Sequence, residues 1–190
     1  ESPCLGQCER PTAVFIQGRR GPDMVAADAD PFIRPQQDGT GLRLLQRLGV
    51  VDPNSLDSYR EHGGYVALTK AITMGPDAVL AELSDSRLSD RGGAAFPTGF
   101  KWSAVRDAEG DTKHVVANCD ESEPGTFKDR TIMENDPFSL IEAMTIAAVT
   151  TGSENGWIYI RGEYPLATAR IENAIDQARS AGLLGDDVAG

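Results

Sequence analysis

The spacing of apolar positions changes several times along the chain, and each change marks an element. Residues 12–17, TAVFIQ, join β-branched and aromatic side chains and predict a strand. Residues 21–40 are rich in Pro, Gly, Asp and Gln without periodicity, which predicts a linker or an extended surface segment containing a domain boundary. Leu42, Leu44, Leu45 and Leu48 form a leucine-rich patch that suits a short helix ended by Gly49, and Asp52-Pro53 with Ser55 supplies turn chemistry before Tyr59. Val66, Leu68, Ala71 and Ile72 follow Gly63-Gly64 at helical spacing and predict a helix that stops at Gly75. Pro76 opens the next helix, with Val79, Leu80 and Leu83 inward.

A second set of elements follows a polar, glycine-rich stretch over residues 90–130. Within it an apolar run predicts a strand that ends abruptly at Asn118. Asp136-Pro137 reads as N-cap and first helical position, and Gly152 as the stop of an almost wholly apolar helix buried against a sheet. Residues 157–160 predict a strand. Pro165 opens a helix with Ile171, Ala174, Ile175 and Ala178 on one face and Gly182 past its end. The order strand, loop, helix, strand, helix predicts an α/β layered fold with parallel strands, in which ligands gather beyond the carboxyl ends of the strands. Asn118 stands at such an end.

Composition narrows the function classes. With 190 residues, 40% of them apolar, the chain can bury one ordinary core plus an appendage. A net charge of −11 disfavours nucleic acid and anionic membrane, although a local Lys/Arg cluster can still hold a phosphate. Neither a long apolar run nor a charged-then-apolar N-terminus is visible, so the cytoplasm is the expected location. Three cysteines argue against a disulfide framework, and two histidines leave little for a His-based metal site. Cys4 and Cys8, spaced Cys-x3-Cys, offer two thiolates, which is half of an iron–sulfur ligand set that Cys119 alone does not complete. The alternative is two small buried residues.

The chemistry concentrates in residues 90–130. Gly92 and Gly93 lack a Cβ, so a phosphate or a ring edge can approach their N–H groups, and Lys101 adds charge; a plain turn is the alternative. The pattern matches neither the P-loop nor the dinucleotide fingerprint. Asn118, Asp120, Glu121 and Glu123 suit sugar-like hydroxyls and a heterocycle edge. The same residues also suit an acidic surface loop or a Mg2+ or Ca2+ site, though without the usual alternation of oxygen ligands. Phe96, Phe100 and Trp102 suit either stacking on a flat ligand or anchoring a turn at Pro97-Thr98-Gly99, and spacing alone favours the core. Cys119, with only His114 near it in sequence, reads as a small buried residue.

Taken together, RGGAAFPTGFKW (91–102), NCDESEPGTFKDR (118–130), YIRGEYP (159–165) and GLLG (182–185) resemble the flavin- and NADH-binding, 51-kilodalton-type subunit of respiratory complex I. The diaphorase subunits of NAD-reducing hydrogenases and NAD-linked formate dehydrogenases share the resemblance. It covers residues 59–185 nearly continuously, with several long motifs in the correct order. PCLGQC (3–8) resembles the second half of the thioredoxin-like [2Fe-2S] module that neighbours this subunit or is fused ahead of it.

The resemblance implies residues 1–20 as the tail of that module, 21–58 as linker and short helix, and 59–190 as the N-terminal portion of a Rossmann-like FMN- and NADH-binding domain. It implies an FMN that takes a hydride from NADH and passes electrons singly to iron–sulfur clusters. Arg91, Gly92, Gly93 and Lys101 would cradle FMN, Asn118, Asp120 and Glu121 would hold its ribityl chain and ring, Phe96 would stack on NADH, and Glu123 would hydrogen-bond it. Cys4 and Cys8 would be a [2Fe-2S] half-site. The implied partners are iron–sulfur subunits of a larger redox complex that places the protein at the inner face of a membrane.

Departures from the pattern bear on function. Leu88-Ser89-Asp90-Arg91-Gly92-Gly93 stands where relatives usually carry Leu-Arg-Gly-Arg-Gly-Gly, so a carboxylate lies beside the expected flavin phosphate. Ala95 replaces a frequent glycine, read as a small change, and Ser122 is a variant expected within the family. The family's second flavin loop, with its Gly-Glu-Glu run, and its [4Fe-4S] cysteines lie outside these 190 residues, which implies a fragment or a split subunit. Two readings follow: an FMN-dependent NADH dehydrogenase module, or a non-catalytic structural or partner-binding remnant of one.

Overall fold

The structure is a computed structural model that describes residues 13–18, 21–26, 43–91, 94–186 and 188. Strand β1 (Ala13–Gly18) pairs antiparallel with β2 (Gly21–Ala26) in the register Ala13↔Ala26 to Gly18↔Gly21. The segment read as linker thus begins with a strand. Cys4 and Cys8 lie outside the described residues.

The leucine patch is a run of turns, not a helix. The N–H of Leu48 reaches the Leu45 carbonyl (3.2 Å), and Gly49 adopts φ +66°, which stops helical winding. Ser55 then caps α1 (Leu56–Glu61), its Oγ accepting from the Ser58 N–H at 3.1 Å. Helices α2 (Val66–Met74) and α3 (Pro76–Ser86) meet at Gly75, whose φ of +80° makes the break that Pro76 completes. Helix α4 (Thr98–Asp107) follows where the sequence suggests only a turn. Its first turn presses on α3: a Cβ at Gly99 would lie 2.5 Å from Ser84 Oγ and 3.0 Å from Ser84 N.

Strand β3 (His114–Cys119), helices α5 (Lys128–Asn135) and α6 (Pro137–Thr151), strand β4 (Asn155–Ile160) and helix α7 (Pro165–Ser180) form the crossover unit. β3 and β4 are parallel, in the register His114↔Asn155 to Cys119↔Ile160, as the alternating element order requires. The predicted α/β class therefore holds as a mixed helix–strand fold around a small parallel sheet. Helix α6 sits at the centre: α2, α3, α4, α5, α7 and both strands pack on it. Phe138, Ile141, Tyr59, Leu68, Ala167, Ile171, Ala174 and Ala178 build the core, with Tyr59 stacked on Phe138 at 5.6 Å. The other face of the sheet exposes Val116, Trp157 and Tyr159.

Candidate functional site

The glycine loop is closed at its base by main-chain pairing. Ser89 bridges Pro97, the Asp90 N–H donates to the Phe96 carbonyl, and the Thr98 N–H donates to the Leu88 carbonyl, both at 2.8 Å. Gly92 and Gly93 lie outside the described residues. Ala95 adopts φ +51°, a left-handed conformation that costs a residue with a Cβ about 1–2 kcal/mol. The glycine frequent at this position suits that conformation, so the substitution is not as small as it reads. Arg91 and Lys101 are exposed, Lys101 on the first turn of α4.

Phe96 and Phe100 depart from the core placement that spacing favours. They are 42% and 65% exposed and meet edge-on, with ring centroids 5.7 Å apart, at the junction of the glycine loop and α4. Asp90 stands at the start of the loop, and its Oδ1 is buried without a hydrogen-bond partner.

The acid loop begins where β3 ends. Asn118 Oδ1 accepts the Asp120 N–H (3.0 Å), a local turn that leaves the amide nitrogen as the group Asn118 offers outward. Asp120 Oδ1 accepts from Ser122 Oγ at 2.8 Å, and Asp120 and Glu123 are both exposed. Glu121 points the other way. It is 2% exposed, and its Oε1 and Oε2 accept the N–H groups of Asp129 (2.8 Å) and Arg130 (3.1 Å). Helix α5 has Phe127 at its N-cap with no side-chain cap of its own, so Glu121 supplies the missing acceptors at the helix's positive end. The Glu121 carboxylate, expected to hold a ribityl chain, is spent in this structure on the first turn of α5. Cys119 is buried, as expected of a small core residue.

Two residues not singled out from the sequence complete this half. Arg161, 8% exposed, donates from Nη1 to the main-chain carbonyl of Glu121 (2.5 Å), and the Tyr164 hydroxyl donates to the same carbonyl at 3.3 Å. The motif YIRGEYP contains both, but a side chain bonded to a carbonyl 40 residues earlier leaves no local signature. Both halves of the site rest on one support, since α4 and β3 pack on α6.

Burial pushes the Cys119 thiol up to about 11 and the phenols of Tyr65 and Tyr164 up to about 12, with nearby carboxylate charge the next cause in each case. Each group holds its proton more tightly folded than unfolded. Their contribution is therefore full below the unfolded values of 9.0 and 10.0 and is lost as pH rises towards 12. Far-UV circular dichroism should show cooperative unfolding between about pH 10 and 12; an unchanged spectrum at pH 12 would contradict these burials.

Among the described residues, no helix is long and apolar enough to cross a membrane, and no group of three or more His, Cys, Asp or Glu is placed to hold a metal ion. Residues 83–188 match the Nuo51 FMN-binding domain family. The chain is 47% identical over 148 residues to an F subunit of NADH-quinone oxidoreductase from Rhizobium meliloti (strain 1021), covering 77% of this chain and 35% of that protein. It is 45% identical over 150 residues to the HndC subunit of the NADP-reducing hydrogenase of Solidesulfovibrio fructosivorans, covering 78% and 30%. Its fold matches an NAD+-reducing [NiFe]-hydrogenase in the air-oxidized state with a TM-score of 0.58 at 32% identity, over 73% of this chain and 23% of that one. The chain thus spans about a third of the length of the curated relatives it matches. With the match running from within α3 through α7, across both loops of the site, the chain belongs to the Nuo51 FMN-binding domain family.

Proposed function

We propose that the chain carries part of the flavin and nicotinamide pocket of an FMN-dependent NADH dehydrogenase module, working within a larger redox complex. The observation that carries this reading is the exposed Phe96–Phe100 pair at the mouth of the glycine loop. Two neighbouring phenylalanines left in water, close in the chain to exposed Arg91 and Lys101, suit a flat, phosphorylated ligand better than they suit a bare surface.

The donor set fits FMN. Arg91 and Lys101 offer cations for its phosphate, with the N–H groups of Gly92 and Gly93 between them in sequence, while the Asn118 amide and the Asp120 carboxylate suit ribityl hydroxyls and the ring edge. Glu121 acts by holding this loop. Phe96 offers a stacking face to NADH, and Glu123 an acceptor for its hydroxyls. When bound, FMN would supply the conversion of a two-electron hydride donor into single-electron transfers to iron–sulfur clusters of partner subunits. No side chain need act as acid or base. The protein's task is to align two rings and keep water out. In this reading residues 59–190 belong to a Rossmann-like flavin domain, Cys4 and Cys8 to an adjoining [2Fe-2S] module, and the complex lies against a membrane through its partners.

One observation favours a non-catalytic remnant instead: Asp90 places a carboxylate in the phosphate loop. The two readings separate in a single preparation. Supplied with FMN, the chain should show flavin absorbance near about 450 nm after gel filtration and reduce ferricyanide with NADH; the absence of both signals would sink the catalytic reading. Asp90→Gly should tighten FMN about five- to tenfold, the size of one partly screened like-charge contact. Equal affinity in a titration of flavin fluorescence would refute the placement of Asp90 at the phosphate.

A further inference from the structure

We infer that Arg161, seconded by Tyr164, is a positioning residue for the acid loop. By holding the Glu121 carbonyl, it sets where Asp120 and Glu123 stand towards a bound flavin and nicotinamide nucleotide. The inference rests on the flavin reading above.

The placement follows from the sheet. Cys119 and Ile160 are the last register pair of β3 and β4, so Asp120 and Arg161 leave the sheet side by side. Arg161 needs only to cross one strand spacing to reach the carbonyl one residue beyond Asp120. Arg161 donates to that carbonyl, and the Tyr164 hydroxyl lies within reach of both the same carbonyl (3.3 Å) and Oε2 of the Glu121 carboxylate (3.4 Å). Burial, followed by the Glu121 carboxylate, pushes the Tyr164 phenol up to about 12, so it remains an O–H donor at neutral pH.

Keeping a guanidinium this deeply buried is costly unless the rest of the group is paired. Here it is. Nε and Nη2 of Arg161 face Oε2 and Oε1 of Glu163, each at 3.3 Å, and the guanidinium carbon lies 5.4 Å from the centre of the Tyr164 ring. The segment Arg161–Tyr164 is therefore a clamp whose charge is balanced on its outer side and whose inner side grips main chain. Glu121 itself is tied through its carboxylate to α5. Three separate attachments converge on Glu121, one of the two residues that lie between the proposed ligand residues Asp120 and Glu123. A core that needed only to be filled would not require a cation aimed at a loop carbonyl.

The test uses the full chain and three readouts. FMN affinity comes from quenching of flavin fluorescence, the geometry of the bound ring from visible circular dichroism at saturating FMN, and loop order from amide hydrogen exchange over residues 120–128. Arg161→Lys should raise the FMN Kd about tenfold, change the bound-flavin dichroism and speed exchange over 120–128 while α6 and α7 stay protected. Tyr164→Phe, which keeps the ring and removes the second donor, should raise Kd about threefold and move the dichroism in the same sense; it carries the test if Arg161→Lys does not fold. Loss of stability alone would leave the dichroism at saturation unchanged. FMN binding with unaltered Kd and dichroism in the folded variants overturns the inference. If the unmodified chain binds no FMN, the flavin reading fails, and exchange over 120–128 then decides the clamp by itself: faster exchange in the variants supports it, and equal exchange overturns it.

Discussion

Replacing Glu142 with alanine should destabilise the protein by about 3–5 kcal/mol, measured as a shift of the urea midpoint at constant m-value. Glu142 lies on α6, is buried, and spends its carboxylate on three donors. The Tyr59 hydroxyl (2.6 Å) and the Tyr65 N–H (2.8 Å) share Oε2, and the Leu68 N–H (3.0 Å) takes Oε1. Tyr65 is the N-cap of α2, with φ +62° and no side-chain cap, so Glu142 performs from a distant helix the task that a local Ser or Asp usually performs. Truncation leaves two helix-end N–H groups and a buried phenol without acceptors, and adds a cavity against Tyr59. Burial, the largest cause holding the Tyr59 phenol well above its ordinary pKa, remains when the carboxylate is removed, so the phenol does not escape the loss by ionising. Glu142→Gln keeps one carbonyl acceptor and should cost less than half as much. A cost for Glu142→Ala within about 1 kcal/mol of zero would show that water replaces the carboxylate freely.

The same long-range capping explains what can and cannot be read from the chain. Where a helix carries its own start signal, the residues alone suffice: Pro76, Asp136-Pro137 and Pro165 each open a helix close to the expected residue, and Gly75, Gly152 and Gly182 follow helix ends with positive φ. Helices α4 and α5 carry no such signal. Their N-caps are Pro97 and Phe127, neither of which offers a side-chain acceptor, and for α5 the acceptor comes from Glu121 in the preceding loop. Even Asp136, expected as a cap, makes no side-chain cap bond and pairs instead with Arg47 at 3.5 Å. A start signal supplied by tertiary structure has no local spacing to recognise.

The site shows the same division. The acids of residues 120–123 look equivalent in sequence, and only burial separates Glu121, which faces inward, from Asp120 and Glu123, which face out. Phe96 and Phe100 look like core residues because aromatic residues beside a turn usually are. Their exposure depends on α4 presenting its first turn outward, which follows from Gly99 allowing α3 and α4 to approach on the opposite side. Resemblance to a family marks residues 90–130 as the candidate site; packing decides which of its residues face outward and which hold the others.

Glu121→Gln should separate these two roles most clearly. The amide keeps one acceptor and turns a donor towards the second N–H of α5, so the helix loses one cap bond, gains a donor–donor conflict and loses a negative charge at its positive end. The expected cost is about 2–3 kcal/mol, comparable to that of Glu142→Gln or somewhat above it. The consequence for ligand binding should differ between the two variants. Glu142 anchors α2 and Tyr59, whereas Glu121 lies within the acid loop and ties it to α5. At a temperature where both variants are fully folded, Glu142→Gln should bind FMN as the unmodified chain does, and Glu121→Gln should bind it at least about tenfold more weakly. Stability curves measured alongside the FMN titrations make the comparison internal, because both variants remove one buried carboxylate that caps a helix. Equal FMN affinity in the two would mean that residues 118–123 form an acidic surface turn and that the flavin, if bound, is held by the glycine loop and α4 alone.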